Sequence, residues 1–331
     1  MKGTLRGKTI LVTGGTGSFG QAFVRKVLNQ EKPKVVRIYS RDEAKQHDMR
    51  VAFGNDERLR FFIGDVRDNK RLERACDGVD FLVHAAALKQ VPVCEYNPIE
   101  AIRTNIDGAV NVIESALNLK IPKVVALSTD KAVHPVNLYG ATKLCAEKLF
   151  IQANTYSGES RKKRGPIFSV VRYGNVVASR GSVIPLFRGQ ISRGEKLTIT
   201  DKRMTRFWIT LEQAVDFVLT SERIMKGGEI FIPKIPSMKI VDLVSAFDYK
   251  KQVNVIGIRP GEKIDEFLVT KDEGRRAREL KDRYIIEPEF KWWTEEKEKR
   301  GKIVPDGFSY DSANNKEWLS IDQMKSIISE A

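Results

Sequence analysis

Short apolar runs alternate along the first half of the chain with segments whose apolar residues recur at helical spacing. The run from Thr9 to Thr13 predicts a strand, and apolar positions then return every three or four residues from Phe23 to Leu28, which predicts a helix. Further strands are predicted at residues 35–39, 60–63, 81–85, 123–128 and 168–172, and further helices at 72–76, 99–117 and 138–154. Strands that alternate with helices form a parallel sheet covered on both faces, so we predict an α/β fold with a doubly wound parallel sheet.

This alternation loosens after residue 174, where short apolar runs at 229–233 and 253–258 stand among loops. We therefore predict a nucleotide-binding Rossmann domain over residues 1–174. A smaller substrate lobe is predicted over residues 175–331, with some of its chain returning to the Rossmann core. Ligands of such sheets bind in the crevice at the carboxyl ends of the strands, so functional side chains are expected directly after each strand.

Three glycines, at positions 14, 17 and 20, separate the first predicted strand from the first predicted helix. Their spacing lets the backbone turn tightly, approach a pyrophosphate closely, and begin a helix whose amides face the phosphates. Ordinary turn glycines are the alternative, and the position at the first strand-to-helix junction favours a dinucleotide. The predicted phosphate loop contains Gly14, Thr16, Gly17, Ser18, Phe19 and Gly20.

The end of the second strand distinguishes NADP from NAD. An acid there would grip the ribose hydroxyls of NAD and would repel a 2′-phosphate, but this chain has Ser40 and Arg41, with Lys45 close behind. These residues can donate hydrogen bonds to a phosphate, so NADP is favoured. Asp42 leaves NAD open, because a small shift in register would bring this carboxylate to the ribose.

The third and fourth strands end in residues suited to the rest of the cofactor. Asp65 can accept from the adenine amino group while Val66 packs on the ring, although an ordinary turn aspartate is an equally simple interpretation. Ala85 and Ala86 allow the close backbone approach that a nicotinamide ribose needs. We interpret the neighbouring His84 as structural.

Tyr139 and Lys143 follow the fifth strand, four residues apart on one predicted helix face. The ammonium can lower the tyrosine pKa and hold the ribose, while the phenolate takes a proton from a substrate alcohol. Of the eight tyrosines, Tyr139 alone has a lysine four positions on. Chance would produce about one such pair in a chain this basic, so the position after the fifth strand carries the argument.

Charge and composition narrow the functional classes. With 57 Lys and Arg against 43 Asp and Glu, the net charge is +14, which fits nucleic acid, a phosphorylated small molecule or a solvated basic surface. The dense basic run at 161–164 precedes Gly165 and Pro166 and is interpreted as an exposed loop, so no nucleic-acid partner is predicted. Three cysteines and three scattered histidines argue against disulfides and metal sites. No apolar run reaches the length of about 18 residues that a membrane helix needs, so we expect a soluble cytoplasmic protein with no membrane partner.

Taken together, these residues resemble the extended short-chain dehydrogenase/reductase superfamily, and within it the UDP-N-acetylglucosamine 4,6-dehydratases. The segments that carry this resemblance are residues 13–20, 40–43, 85–92, 128–132 and 204–208. The intact Tyr139, the stretch 172–175 and the stretch 259–263 are similar to the inverting type that opens pseudaminic acid biosynthesis. The resemblance extends over nearly the whole chain, to residues 314–318.

The resemblance implies a hydro-lyase in which bound NADP is recycled. Tyr139, assisted by Lys143 and by Thr129, would remove the C4 hydroxyl proton as hydride leaves C4. Lys131 would then act as base at C5, and Asp130 as the acid that protonates the departing C6 hydroxyl. The product would be UDP-2-acetamido-2,6-dideoxy-β-L-arabino-hex-4-ulose. A neutral Lys131 requires a pKa lowered by burial or by a nearby cation, and a plain ion pair with Asp130 is the structural alternative.

The substrate implied by the resemblance is UDP-N-acetylglucosamine. Predicted ligands of its sugar and diphosphate are Lys89, Thr129, Tyr139, Asn175, Arg180, Arg206, Arg259 and Glu262, and Ser128 is added to the cofactor set with Lys89, Tyr139 and Lys143. The chain departs from the family pattern at Asp265, where a histidine is usual.

Other functions use parts of the same pattern. A C4 epimerase has no use for Asp130 and Lys131 as an elimination pair, and a related C5-inverting enzyme for another deoxyamino sugar often lacks the tyrosine. A non-catalytic NADP-sensing regulator or a nucleic-acid binder would not need the four residues together. A homo-oligomer, a dimer or larger, is predicted from the apolar residues Leu144, Leu149, Phe150 and Ile151 on the helix after Leu138.

Overall fold

Strands and helices alternate through a computed structural model that describes residues 4–157, 165–179, 181–249, 253–290 and 300–330. The strands are β1 Thr9–Thr13, β2 Val35–Ser40, β3 Leu59–Ile63, β4 Phe81–His84, β5 Lys123–Thr129, β6 Ile167–Tyr173, β7 Asn175–Val176, β8 Thr198–Ile199, β9 Thr205–Ile209, β10 Ile230–Pro233, β11 Ser237–Lys239, β12 Asn254–Val255, β13 Phe267–Val269, β14 Ala277–Glu279, β15 Arg283–Ile286, β16 Lys302–Ile303 and β17 Tyr310–Asp311. The helices are α1 Ser18–Lys26, α2 Glu43–Ala52, α3 Asn69–Cys76, α4 Val91–Tyr96, α5 Pro98–Ile102, α6 Gly108–Asn118, α7 Leu138–Gln152, α8 Val183–Ser192, α9 Leu211–Ile224, α10 Ile240–Ser245, α11 Lys271–Gly274 and α12 Ile321–Glu330.

The central sheet confirms the predicted fold class. Its order in the described residues is β16-β14-β15-β10-β6-β5-β4-β1-β2-β3, and the strands from β10 to β3 run parallel. Every residue of β1 and β4 is buried, because helices cover both faces of the sheet. The chain order reverses direction across the sheet beside β1 and β4, which is where a Rossmann fold binds its ligand.

The helices differ from the sequence-based prediction in two ways. The single helix predicted over residues 99–117 is two helices, α5 and α6, joined by a wider turn at Arg103–Asp107. The prediction also did not include α2, α4, α8, α9, α10, α11 and α12. Helix α9 begins with a capping box between Thr210 and Gln213 and packs against α1. That capping pattern is a sequence signal that could have identified the helix.

Residues after 174 contribute to both parts of the molecule. Strands β10, β14, β15 and β16 extend the central sheet, whereas β7, β9 and β11 form a separate small sheet. The second lobe has its own apolar core, in which Trp208, Phe187, Met238 and Met324 are buried. The chain therefore passes between the two cores more than once after β6, because β10, β14 and β15 return to the central sheet while α10 and α12 pack in the second core.

The residues on which the dimer prediction rested are largely internal. Phe150 and Ile151 belong to the main core, where Phe150 packs against His84 and Phe168, and Leu144 and Leu149 are half-buried. The apolar surface that was assigned to a second copy is thus used within the chain, because α7 also packs on β5 and β6. Across the described segments, no helix combines the length and the apolar character that a membrane crossing requires.

Candidate active site

A cleft of about 1160 Å³ opens at the carboxyl ends of the parallel strands, between the two lobes. All the predicted cofactor residues line it, together with every predicted substrate residue except Arg180, which lies outside the described residues. Of the five predicted catalytic residues, Thr129, Lys131, Tyr139 and Lys143 line the cleft, and Asp130 does not. The sequence motifs thus converge on one space although they are spread over more than 200 positions.

The glycine loop lies tightly against the backbone that follows β4, the strand paired with β1. Gly14 has φ +64°, and a Cβ there would lie 2.9 Å from the backbone of Ala86. A Cβ on Gly20 would overlap the backbone of Gly15, so this glycine lets α1 pack directly on the loop. Because both positions exclude a side chain, the amides at the start of α1 stay open to the cleft, as a pyrophosphate site requires.

At the end of β2, the Ser40 and Thr16 hydroxyls share a hydrogen bond of 2.8 Å. Arg41 lies 3.5 Å from Asp65, and Lys45 pairs with Asp42. Asp42 also accepts from the Lys45 amide at 3.0 Å and so caps α2. To bind the ribose of NAD, the Asp42 carboxylate would therefore have to give up its hydrogen bond to the start of α2.

Asp65 is already engaged by a neighbour on its own loop. Both of its oxygens accept from Arg67, and the Tyr39 hydroxyl donates to its carbonyl at 2.8 Å. Burial opposes ionisation of this carboxyl, but the hydrogen bonds from Arg67 outweigh it and lower the pKa. Val66 is buried beside it. The pair forms the rim of the cleft opposite the glycine loop.

Tyr139 and Lys143 extend from the first turns of α7 into the cleft, and both are buried. The Lys143 ammonium donates to the Leu127 carbonyl at 2.6 Å, and burial lowers its pKa to about 8. Burial raises the pKa of Tyr139 to about 12, while Lys131 and Thr129 act in the opposite direction. Lys131 is therefore the cation that stabilises the Tyr139 phenolate. The four-residue spacing of Tyr139 and Lys143 points to Lys143 instead.

His84 ends β4 beneath this site without lining the cleft. Its Nδ1 shares a hydrogen bond of 2.8 Å with the Thr13 hydroxyl, and burial, assisted by Lys143, lowers its pKa to about 3. The imidazole is therefore neutral across the physiological range. It joins β1 to β4, which agrees with the structural role inferred from the sequence.

Asp130 and Lys131 form the single turn that follows β5. Asp130 Oδ1 accepts from the Thr129 hydroxyl at 2.8 Å and from Lys131 Nζ at 3.1 Å, while Oδ2 is buried with no hydrogen-bond partner in the described chain. Burial acts to lower the pKa of Lys131, but Asp130 and Glu266 outweigh it and raise that pKa. A lysine base at position 131 requires a lowered pKa, as the sequence analysis noted. The structure instead raises the pKa of Lys131. Lys131 is held as an ammonium because Asp130 and Glu266 both stabilise its charge.

The second lobe contributes polar residues to the opposite wall. Arg259 and Glu262 pair at 4.0 Å and are partly exposed, and Asn175 Oδ1 lies 3.4 Å from Lys131 Nζ. The Lys89 ammonium, whose pKa is lowered by burial and by Lys131, faces the same space. These groups remain open to an anionic ligand.

Arg206 is placed differently from its predicted role. Its guanidinium donates to the carbonyls of Thr205, Lys263 and Ile264 at 2.7 to 2.9 Å. It thus holds the segment that follows Glu262 against β9. The prediction that Arg206 donates to a diphosphate must compete with these three backbone contacts.

Two buried glutamates in the described structure were not identified from the sequence. Glu266 is surrounded by Lys131, Lys263 and Arg206. Glu147, one turn beyond Lys143 on α7, forms a paired hydrogen bond with the buried Arg172. The i, i+4 spacing of Glu147 after Lys143 could have indicated the second, whereas Glu266 meets Lys131 only through the fold.

Asp265 lies off the cleft. It accepts from the Thr205 hydroxyl at 2.8 Å, and that hydroxyl also contacts Ser312. Among the described cleft-lining residues, Glu266 is present and Asp265 is not. The departure from the family pattern therefore alters a contact between β9 and the segment before β13 rather than the wall of the cleft.

Comparison with known proteins places this site in a family. The family described as polysaccharide biosynthesis protein has a sequence model that matches residues 10–288. The chain belongs to this family. A curated relative from Campylobacter jejuni, named UDP-N-acetylglucosamine 4,6-dehydratase (inverting), is 51% identical over 97% of both chains. The resemblance inferred from the motifs is confirmed by this similarity.

Other members of this polysaccharide biosynthesis family carry other names. A relative from Rickettsia massiliae, named UDP-glucose 4-epimerase, is 44% identical over 97% of this chain and 95% of its own. Among solved structures, Pen from Bacillus thuringiensis is 40% identical and superposes with a TM-score of 0.88 over 99% of both chains. Dehydratases and epimerases thus share this arrangement of lobes, and the residues of the cleft must distinguish them.

Proposed function

We propose that this protein is an NADP-dependent UDP-N-acetylglucosamine 4,6-dehydratase that inverts C5. The observation that carries the proposal is the Asp130–Lys131 pair, 3.1 Å apart at the end of β5, in which Lys131 lines the same cleft as Tyr139 and Asp130 is buried behind it. An elimination across C5 and C6 needs a base and an acid beside an oxidised C4, whereas an epimerisation needs neither. The name of the 51% identical relative supports the same reaction.

The residues around the glycine loop fit a dinucleotide. A side chain is excluded at Gly14 and Gly20, and Ser40, Arg41 and Lys45 supply donors where a 2′-phosphate would lie. When bound there, the nicotinamide of NADP would supply the hydride acceptor for C4 and the hydride donor for C6. Lys143 and Tyr139 would hold the ribose end of the cofactor, and Asp65 and Val66 the adenine end.

In the first step, Tyr139 takes the C4 hydroxyl proton. Its pKa of about 12 means that the phenol needs nearby positive charge, which Lys131 provides. Thr129 lies beside the phenol and can orient the same hydroxyl. The sugar then carries a 4-ketone, which acidifies the C5 hydrogen.

In the second step, the Asp130–Lys131 pair performs the elimination. A proton passes from the Lys131 ammonium to the Asp130 carboxylate, which leaves a neutral amine as the base at C5 and a carboxylic acid as the proton source for the C6 hydroxyl. Asp130 is buried and only Lys131 lines the cleft, so the acid proton reaches the leaving hydroxyl through Lys131 or after a rotation of Asp130. The C6 hydroxyl leaves as water with the proton from Asp130. The proton taken from C5 stays on Lys131 and restores the ammonium.

The product is UDP-2-acetamido-2,6-dideoxy-β-L-arabino-hex-4-ulose, once hydride returns to C6 and a proton reaches C5 from the opposite face. Arg259 and Asn175 in the substrate lobe and Lys89 after β4 are the open donors for the diphosphate and sugar, with Glu262 as an acceptor for a ribose hydroxyl. This product fits the first step of pseudaminic acid-type biosynthesis. No net oxidation occurs, since the cofactor is regenerated.

A UDP-sugar C4 epimerase is the second candidate, because a 44% identical relative carries that name. It would use Tyr139 and the cofactor in the same way and would return hydride to C4 on the other face. It would leave C5, C6 and the mass of the sugar unchanged.

The decisive experiment incubates the purified protein with UDP-N-acetylglucosamine in D₂O and follows the product by proton NMR and mass. Loss of water with deuterium at C5 and inverted C5 couplings is the expected result, and Lys131→Ala should abolish it. An unchanged mass with a C4 epimer identifies the second candidate. Tyr139→Phe should lower kcat by about 10²- to 10⁴-fold, whereas Tyr156→Phe, at an exposed position in the turn that follows α7, is the matched control.

A further inference from the structure

Glu266 lies beneath Lys131, in the segment between the second lobe and β13. Its side chain is only 3% exposed, and Oε1 is 3.6 Å from Lys131 Nζ. The same oxygen is 3.8 Å from Arg206 Nε, and Oε2 is 2.9 Å from Lys263 Nζ. A carboxylate this deeply buried must be stabilised by its cations, because desolvation alone would neutralise it.

Lys263 ties Glu266 to the turn that carries the elimination pair. Its ammonium donates to the Val133 carbonyl at 2.7 Å and to the Asp130 carbonyl at 3.4 Å. Ser312 fixes the other side of Glu266, since its hydroxyl accepts from the Glu266 amide at 2.9 Å. The carboxylate is therefore rigidly placed relative to Asp130 and Lys131.

The charges that face Lys131 come from every element around it. Asp130 on its own turn and Glu266 are negative, while Arg206 on β9 and Lys89 after β4 are positive, and the Tyr139 phenol faces it from α7. Lys143 interacts with Glu147 and Leu127 instead. Glu266 is thus the second anion on Lys131, and the fold brings it from a segment 135 positions away.

We propose that Glu266 is a positioning residue for the elimination: its carboxylate holds the Lys131 amine in the cleft and keeps it protonated in the resting enzyme. This inference rests on the proposed dehydratase function. The ammonium becomes a base only when one of its N–H bonds breaks and an O–H bond forms on Asp130 Oδ1, and this transfer leaves the pair neutral overall. The negative charge of Glu266 disfavours this transfer, because it stabilises the Lys131 ammonium. Lys263 and Arg206 also pair with Glu266 and so weaken its effect on Lys131.

A labelling experiment tests the charge state of Lys131 without using activity. The wild type and Glu266→Gln are acetylated in competition with a standard amine over a range of pH, and modification of each lysine is quantified by peptide mass spectrometry. Loss of the carboxylate should move the titration midpoint of Lys131 down by at least about one pH unit. Labelling at a fixed pH below both midpoints then rises at least about tenfold. A looser fold would instead change the limiting rate without moving the midpoint.

The control is Glu222→Gln, because Glu222 is equally buried and lies 2.8 Å from Lys123, which begins β5 at the opposite end of the strand from Lys131. This variant should alter the labelling of Lys123 and leave Lys131 unchanged. An unchanged Lys131 midpoint in Glu266→Gln would overturn the proposal. That outcome is independent of the substrate, so a failure of the dehydratase assignment cannot be mistaken for it.

A single-turnover measurement then locates the defect in the reaction. With UDP-N-acetylglucosamine, oxidation at C4 precedes elimination. Although Glu266→Gln eases deprotonation of Lys131, it no longer holds the amine in place, so reduced cofactor should accumulate, seen by absorbance, while water loss slows. KM should change little, because Glu266 does not itself bind the substrate. Equal slowing of both steps, or recovery of neither by Glu266→Asp, would count against a role specific to Lys131.

Discussion

At the residue scale, Ser40 links the glycine loop to the end of β2. Its hydroxyl shares a hydrogen bond with Thr16, and Arg41 and Lys45 follow at the same edge of the cleft. Each of the two cations is balanced by one aspartate, Asp65 for Arg41 and Asp42 for Lys45. The site therefore offers donors without an acid at position 40, which is the arrangement that favours a 2′-phosphate.

Replacing Ser40 by Asp should reverse the cofactor preference. The new carboxylate would repel the 2′-phosphate and accept from the ribose hydroxyls of NAD, so NADP⁺ binding should weaken at least about tenfold while NAD⁺ binding strengthens. Calorimetric titration with both nucleotides measures the ratio, and Ser40→Asn is the uncharged control of similar shape. An undiminished preference for NADP⁺ in Ser40→Asp would show that the specificity lies elsewhere.

Burial of the Lys143 ammonium destabilises the folded protein. Its folded-state pKa is about 8, against 10.5 in an unfolded chain, because folding removes the ammonium from water. Near neutral pH this desolvation lowers the free energy of unfolding by about 3 kcal/mol. The cost is absent above pH 10.5, where both states are neutral, and grows as the pH falls to 8.

Lys143→Met should therefore be more stable than the wild type by about 2 to 3 kcal/mol at pH 7, although its turnover is lost. The advantage should shrink to under about 1 kcal/mol at pH 10. Urea unfolding of the nucleotide-free proteins at both pH values provides the test. A difference in the free energy of unfolding that does not vary with pH would mean that Lys143 is not the group that titrates.

At the scale of elements, the beginning of α7 is packed against the turn at Asp130–Ala132. A Cβ on Gly140 would overlap the Lys131 carbonyl oxygen and would lie 3.2 Å from Pro135. Asn137 caps the helix by accepting from the Gly140 amide at 2.7 Å. The glycine thus fixes the distance between the helix that carries Tyr139 and the turn that carries Lys131.

Gly140→Ala should separate these two elements by enough to impair both proton transfers. We expect kcat to fall by at least about tenfold, since small displacements of reacting groups have large kinetic effects. The helix itself should persist, because alanine favours helix more than glycine. Steady-state kinetics and circular dichroism measure the two properties, and Ala141→Gly at the exposed neighbouring position is the control. Full activity in Gly140→Ala would mean that the turn can shift without consequence.

At the scale of the whole molecule, a buried arginine joins elements from distant parts of the chain. Arg172 on β6 pairs with Glu147 on α7 at 2.6 Å and with Glu273 on α11 at 2.9 Å, and its guanidinium also donates to the Leu268 carbonyl. Burial opposes the ionisation of Glu273, but Arg172 lowers the pKa of that carboxyl below its usual range. The network sits behind Lys143 and ties the returning chain to the Rossmann core.

Arg172→Met should lower the free energy of unfolding by about 3 to 5 kcal/mol at neutral pH, because two buried carboxylates lose their cation. The folded pKa of Glu273 is depressed, so its contribution is present above the unfolded value and is lost as the pH falls through the folded one. The difference from wild type should therefore narrow on acidification. Urea titrations give both values, and Arg275→Met, from a pair exposed to solvent, should change stability by less than about 0.5 kcal/mol. Equal effects of the two variants would contradict a buried network.

The sequence by itself determined the Rossmann class, the glycine loop and the set of polar and glycine residues predicted to hold the cofactor, all of which line the cleft. These follow from local rules: a periodic apolar pattern specifies strand or helix, and the carboxyl ends of parallel strands meet at one edge. It also placed Tyr139 and Lys143 together, because four residues make one turn of helix.

Only the tertiary structure decided the electrostatics of that site. Glu266 and Lys131 are 135 positions apart, and Arg206 is committed to the carbonyls of residues 263 and 264, so neither fact is encoded in a local pattern. A neutral lysine base requires a pKa lowered by burial or by a nearby cation, yet at Lys131 two carboxylates outweigh burial and raise the pKa. A pKa depends on every charge within a few ångströms, and those neighbours are set by long-range packing rather than by spacing along the chain.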